Sequence, residues 1–73
     1  MFGRKIKYEL VKFSEDDKYR VTMLKGYNGY IVFCNEIETN VVVVGGKVGM
    51  TADEADIEYN KMCIMMLSNG EKA

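Results

Sequence analysis

Three groups of carboxylates and one set of aromatic rings are the residues in this chain whose types and spacing could do chemistry. Glu15, Asp16 and Asp17 are consecutive, Glu36 and Glu38 flank Ile37, and Asp53, Glu54, Asp56 and Glu58 recur through a third stretch. General acid–base or metal chemistry would require partners the chain lacks. There is no histidine, hence no Ser/His/Asp or Cys/His pairing, and no ligand spacing for a metal. The stretch GGKVGMT, residues 45–51, lacks the G-K-[ST] order of a phosphate loop and reads as a strand end and turn. What remains to the carboxylates is electrostatic. Most such groups form a solvated surface; an acidic edge beside an apolar patch can also imitate a nucleic-acid backbone and occupy a basic DNA-binding groove. Tyr27, Tyr30 and Phe33 have two readings of the same kind, stacking on bases or packing as cross-strand pairs.

Elements must position these groups, and composition bounds them. With 73 residues, 48% hydrophobic and 29% charged, seven glycines and no proline, the chain has the makeup of one ordered domain, residues 1–73, near the size at which a single core barely suffices. The net charge of −1 is not that of a strong nucleic-acid binder. Cys34 and Cys63 are far apart and belong to no C-x-x-C pair, so each reads as a small buried hydrophobe. The opening MFGRKIKYELVKF has no apolar signal-peptide core, and MCIMML is too short to span a bilayer. Reduced thiols in the cytoplasm, no membrane and no cofactor are the expectations.

Alternation predicts four strands at about 4–13, 18–26, 29–37 and 40–48. Ile6, Tyr8 and Leu10 would share the buried face of the first, Tyr19, Val21 and Met23 a face of the second. Tyr30, Val32 and Cys34 would lie opposite Ile31, Phe33 and Ile37 on the third. SEDDK and ETN are polar turns, and Asn28-Gly29 predicts a two-residue type I′ hairpin turn. A helix at about 52–68 follows, with Thr51 and Glu54 as a capping box and Asn69-Gly70 as a left-handed C-cap. Its stripe of Ala52, Ala55, Tyr59, Met62, Cys63 and Met66 would cover the sheet. The expected fold is α+β, an antiparallel four-stranded meander followed by one C-terminal α-helix (ββββα).

Both faces of this arrangement carry apolar residues. In TNVVVVGGKVG, residues 39–49, Val41 and Val43 would point one way and Val42 and Val44 the other. Ile57 and Ile64 fall on the side of the helix away from its core stripe. Surplus apolar surfaces on so small a chain predict a homodimer or a bound partner, with Ile57, Ile64, Val41 and Val43 at the dimer interface.

At YRVTML (19–24) and TADE (51–54) the chain resembles the small uracil-DNA glycosylase inhibitors of certain Bacillus phages. Those proteins place a Y-x-V-T-M-L strand, a Gly-containing turn, two further strands and T-A-D-E in this order; the likeness covers about residues 19–56. It implies a non-enzymatic DNA-mimic homodimer with an apolar pocket that captures the glycosylase's DNA-probing side chain, acting in the cytoplasm of a phage-infected host. Where that family has an acidic residue on the middle strand and aromatic residues on the strand before the helix, this chain has Cys34, Val44 and Val48. No family site residue is carried over. Either valines rebuild the pocket and Glu36 or Glu38 supplies the acid, or the likeness is one of fold.

The partner-binding set expected on the first alternative is Glu36, Glu38, Val42, Val44, Val48, Tyr30 and Phe33, with uracil-DNA glycosylase or another DNA-binding protein as partner. Two other readings compete. GGKVGMTADE after four strands also looks like the whirly-type single-stranded-DNA-binding fold of a transcriptional coactivator and its bacterial relatives. Lys5, Lys7, Arg20, Lys25 and Lys47 would then track phosphates, against which stand the pI near 5.3 and the acidic helix. The third reading is an inhibitor of another host nuclease or defence complex.

Overall fold

A computed structural model describes residues 7–45 and 47–67. Four strands, β1 (Glu9–Glu15), β2 (Tyr19–Gly26), β3 (Gly29–Glu36) and β4 (Val42–Gly45), pair in chain order as one antiparallel sheet, and α1 (Ala52–Met66) follows. This is the expected α+β meander and helix. The helix lies on β2 and β3. Between them Val21, Met23, Val32 and Cys34 meet Ala55, Tyr59 and Met62, with Met50 and Leu67 closing the ends of the core.

The capping box forms as the sequence predicts. Glu54 N–H donates to Thr51 Oγ1 at 3.2 Å, and Thr51 N–H donates to Glu54 Oε1 at 3.0 Å. Ala55, Tyr59 and Met62 are buried and Cys63 and Met66 half-buried, while Ala52 is exposed at the first helical position and leaves the expected stripe. The far end differs too. Leu67 takes an extended conformation and buries its side chain, its N–H donating to Cys63 O at 3.0 Å, so the helix stops at Met66. The predicted cap at Asn69-Gly70 lies outside the described residues.

Strand boundaries shift for identifiable reasons. The predicted start of the first strand at residue 4 lies outside the described residues; the observed strand begins at Glu9 and runs on to Glu15. Its register slips between Leu10 and Lys12, leaving Val11 as a bulge residue. That one extra residue reverses the alternation: Leu10 pairs Leu24 on the face away from the helix, whereas Lys12 pairs Met23 and Ser14 pairs Val21 on the helix side. The first strand is therefore not half-buried through Tyr8 and Leu10 as expected, since those side chains are exposed together with Phe13. What β1 sends towards the helix is polar. Lys12 Nζ stands 2.9 Å from Asp56 Oδ1 and 4.6 Å above the Tyr59 ring, and the Ser14 and Tyr59 hydroxyls share a 2.6 Å hydrogen bond.

The β2–β3 turn is also one residue displaced from expectation. Gly26 pairs Gly29, so Tyr27 and Asn28 are the loop residues; neither has positive φ, which excludes type I′. Both registers keep Val21 and Met23 on the core face, so alternation alone does not choose between them. The choice lies with Gly29, whose φ is +132° and beside which Met50 passes: Tyr30 N–H donates to Met50 O at 2.9 Å, and a Cβ on Gly29 would stand 2.8 Å from that oxygen.

β4 is shorter than predicted, bounded by Asn40 at φ +61° and by Gly45 at φ +137°. A register shift between Cys34 and Asn35 leaves Val43 without a direct partner. Val44 consequently pairs Cys34 and packs on the core, while Val42 pairs Asn35 and stays exposed. The expectation that Val42 and Val44 share a face does not hold, because a bulge breaks the period of two.

Candidate partner-binding surface

The two acidic stretches that the sequence separates by some twenty residues meet at one end of the sheet. In a meander, the β1–β2 and β3–β4 turns lie at the same end and the β2–β3 hairpin at the other. Here a direct bond ties the two turns, with Ile37 N–H donating to Lys18 O at 2.9 Å. Among the described residues of these strand ends and turns, Glu15, Asp16, Asp17, Glu36 and Glu38 thus gather with two cations, Lys18 and Arg20, a formal balance of −3.

Several of these groups are held in place. Asp16 Oδ1 accepts from the N–H groups of Lys18 and Tyr19, both at 2.8 Å, which shapes the first turn. Glu15 pairs with Arg20 Nε at 2.8 Å. In the second turn Thr39 Oγ1 donates to Glu36 Oε1 at 2.8 Å, and the Glu36 backbone joins Val41 and Asn40 at 2.9 and 2.7 Å. Buried Asn35 adds a bond from Nδ2 to Asn40 Oδ1 at 3.2 Å, stiffening the left-handed residue the turn requires. Asp17 and Glu38 are exposed with no ion pair or hydrogen bond among the described residues. Directly after the second turn come Val41, Val42 and Val43, all exposed, with Val42 at 55%. The result is an apolar edge with an acidic rim.

Not every expected site residue is there. Glu36, Glu38 and Val42 come together, with Val41 and Val43, which the sequence reading assigns to contact with a second copy. Phe33 is half-buried on the sheet face away from the helix, where its Cβ lies 2.7 Å from the position a Gly45 Cβ would take. Val44 and Tyr30 face the helix and pack, half-buried, against the core, Tyr30 at the hairpin end and away from the acidic turns. Val48 is exposed at the opposite end of the sheet. Ile57 and Ile64 are exposed on the outer side of the helix, at 65% and 62%, in a different layer from the valine edge.

The helix carboxylates divide differently. Glu54 is consumed by the capping box, Asp56 by Lys12 and Glu58 by Lys61 at 3.9 Å. Asp56 holds the Lys12 ammonium above its ordinary range by hydrogen bond. Burial raises the Cys34 thiol and the Tyr59 phenol above theirs, so both stay protonated at neutral pH. Neither is placed as a nucleophile. Among the described residues no group of His, Cys, Asp or Glu could hold a metal ion, and no helix is long and apolar enough to cross a membrane.

At the hairpin end, sequence reasoning missed a cleft of about 790 Å³. It is lined by Lys7, Tyr8, Tyr27, Tyr30, Ile31 and Val48 and floored by glycine backbone. Tyr8 could not have been placed there from alternation alone: its ring lies against Gly26, where a side chain would meet it at 2.5 Å. Compared with protein-family models, curated proteins and solved structures, the chain matches none.

Proposed function

We propose that this chain is a non-catalytic inhibitor that binds a DNA-processing enzyme of the host cytoplasm, in the first instance uracil-DNA glycosylase, by presenting carboxylates in place of DNA phosphates. The observation that carries the reading is the bond between Ile37 and Lys18, which holds the two acidic turns together next to Val41, Val42 and Val43. A basic DNA-binding groove meets negative charge at the rim, and an apolar probe side chain finds the valine edge. The likeness at YRVTML and TADE supports the choice of target. The test is uracil excision by a purified bacterial glycosylase with this protein added at rising molar ratio. Inhibition that titrates near stoichiometry supports the reading, and undiminished excision at excess inhibitor sinks the choice of target. Binding to another DNA-processing enzyme through the same edge would then move the third reading to the front.

The cleft favours a second reading. Tyr27, 93% exposed at the hairpin tip, and Tyr8 offer rings, and Lys7, Lys25 and Lys47 stand at the same end of the sheet, a set that suits single-stranded nucleic acid. A shift assay with single-stranded DNA separates the two. Retardation that Tyr27→Ala abolishes supports the cleft; no retardation at low salt removes it.

A further inference from the structure

The cleft at the hairpin end has walls that the fold holds in place. On one side the Tyr8 ring lies against Gly26, where a Cβ would meet it at 2.5 Å. On the other, the paired backbone bonds between Tyr30 and Met50, at 2.9 and 3.2 Å, tie the segment containing Val48 and Gly49 to the start of β3, and a Cβ on Gly29 would stand 2.9 Å from the Gly49 backbone. The volume of about 790 Å³ falls within the roughly 300–1,000 Å³ of small-molecule sites, which set a few polar groups among apolar and aromatic walls. Lys7 is the charged side chain among the described lining residues, and no carboxylate is among them.

We infer that this cleft binds one small aromatic anion, a free nucleoside monophosphate or a molecule of the same build, with its ring against the tyrosines and its anionic group at Lys7. The inference rests on the second reading above for the place of the site and narrows its ligand. Tyrosine faces stack on flat rings, and glycine backbone lets such a ring approach where a side chain would stand in its way. The Lys7 ammonium matches an anion by charge-assisted hydrogen bonding. A strand, by contrast, needs cations spaced along its phosphates. Lys25 stands across the β1–β2 ladder from Glu9, which offsets it, and the far end of the sheet holds Glu15, Asp16, Asp17, Glu36 and Glu38 with Lys18 and Arg20. One phosphate is matched here and a row of them is not. Because both walls are already fixed to the hairpin, a ligand of this size enters without ordering a loop.

The test is a nuclear magnetic resonance titration of the full chain with thymidine 5′-monophosphate, run beside thymidine, inorganic phosphate and a short oligothymidylate. It contains no glycosylase, so its outcome is independent of the inhibitor reading. The monophosphate shifts the amides of Gly26, Tyr27, Asn28, Gly29 and Gly49 and saturates at submillimolar concentration. Thymidine and phosphate, each with half of the chemistry, bind about tenfold more weakly or less. Tyr27→Ala weakens the monophosphate about tenfold. Val48→Glu, which sets a carboxylate in the wall, abolishes binding. Lys7→Gln lowers the monophosphate to the level of thymidine, whereas Lys61→Gln, the same change of net charge on the helix, leaves it unchanged. These side chains are exposed, so the variants keep the fold, which the unmoved amides of the core confirm in each spectrum. No saturable shift at the cleft, shifts that survive both Tyr27→Ala and Val48→Glu, or equal binding of thymidine and its monophosphate overturns the inference. An oligothymidylate that binds more than about tenfold tighter than the monophosphate also overturns it and leaves the strand reading standing. Monophosphate binding without strand binding supports the inference and removes the strand.

Discussion

Ile37 donates its backbone N–H to the carbonyl of Lys18 across 2.9 Å, and this single bond joins two turns that the chain makes separately. It lies beyond the last ladder pair of β2 and β3, Tyr19 with Glu36, so it extends the pairing into the loops and limits their independent motion. Carboxylates on a fixed pair of turns keep a geometry that a partner's cations can match without ordering them first.

Neutralising Glu36 and Glu38 together, by Glu36→Gln with Glu38→Gln, should slow association with the glycosylase about tenfold at low ionic strength and have little effect at high salt. The amide oxygen introduced by Glu36→Gln still accepts from the Thr39 hydroxyl, so the turn survives. Surface plasmon resonance at two salt concentrations measures this, with Asp53→Asn as the control at the helix start. Equal loss from the control would assign the effect to net charge and not to the turn end.

Val42 and Val44 should respond in opposite ways to aspartate. Val42→Asp keeps its fold, because the side chain is exposed, and loses inhibition. Val44→Asp places an unpaired charge against the core at a cost of about 3 kcal/mol or more, a large share of a small domain's stability. Urea titration followed by circular dichroism distinguishes them; a folded, non-inhibiting Val44→Asp protein would return that residue to the binding surface.

Gly29→Ala should destabilise the fold by about 2 kcal/mol, since an L side chain is strained at φ +132° and the added carbon crowds Met50 O. The melting temperature of the variant reads this directly. An unchanged value would mean that the Tyr30–Met50 bridge gives way at no cost.

Tyr59→Phe should cost about 1 kcal/mol, because it deletes the phenol that shares a hydrogen bond with Ser14. It should also change the alkaline limb of stability. Burial raises the Tyr59 phenol in the folded protein, so the unfolded chain ionises first. The contribution is fully present below the ordinary phenol value of 10.0 and is lost as pH rises beyond it. Between neutral pH and the range above the ordinary phenol value, denaturation midpoints should fall less steeply for the phenylalanine variant than for wild type.

The course of the chain is largely legible in its residues. Period-two alternation between polar turns marks the four strands, and Thr51 with Glu54 marks the helix start, since these signals depend on neighbours close in sequence. The acids of the two turns are also recognisable as groups, and a meander of short links brings alternate turns to one end. The faces are not legible. Whether Leu10 or Lys12 looks at the helix, and whether Val42 or Val44 enters the core, depends on one extra residue in each edge strand. A bulge is a relation between two strands, decided by what lies across the ladder and by where Asp56, Tyr59 and Cys34 await a partner. The same holds for Gly29, whose special conformation answers to Met50, a residue brought beside it only by the completed fold. Local chemistry sets which segments become strands and helix; pairing and packing at a distance decide which of their two sides meets water.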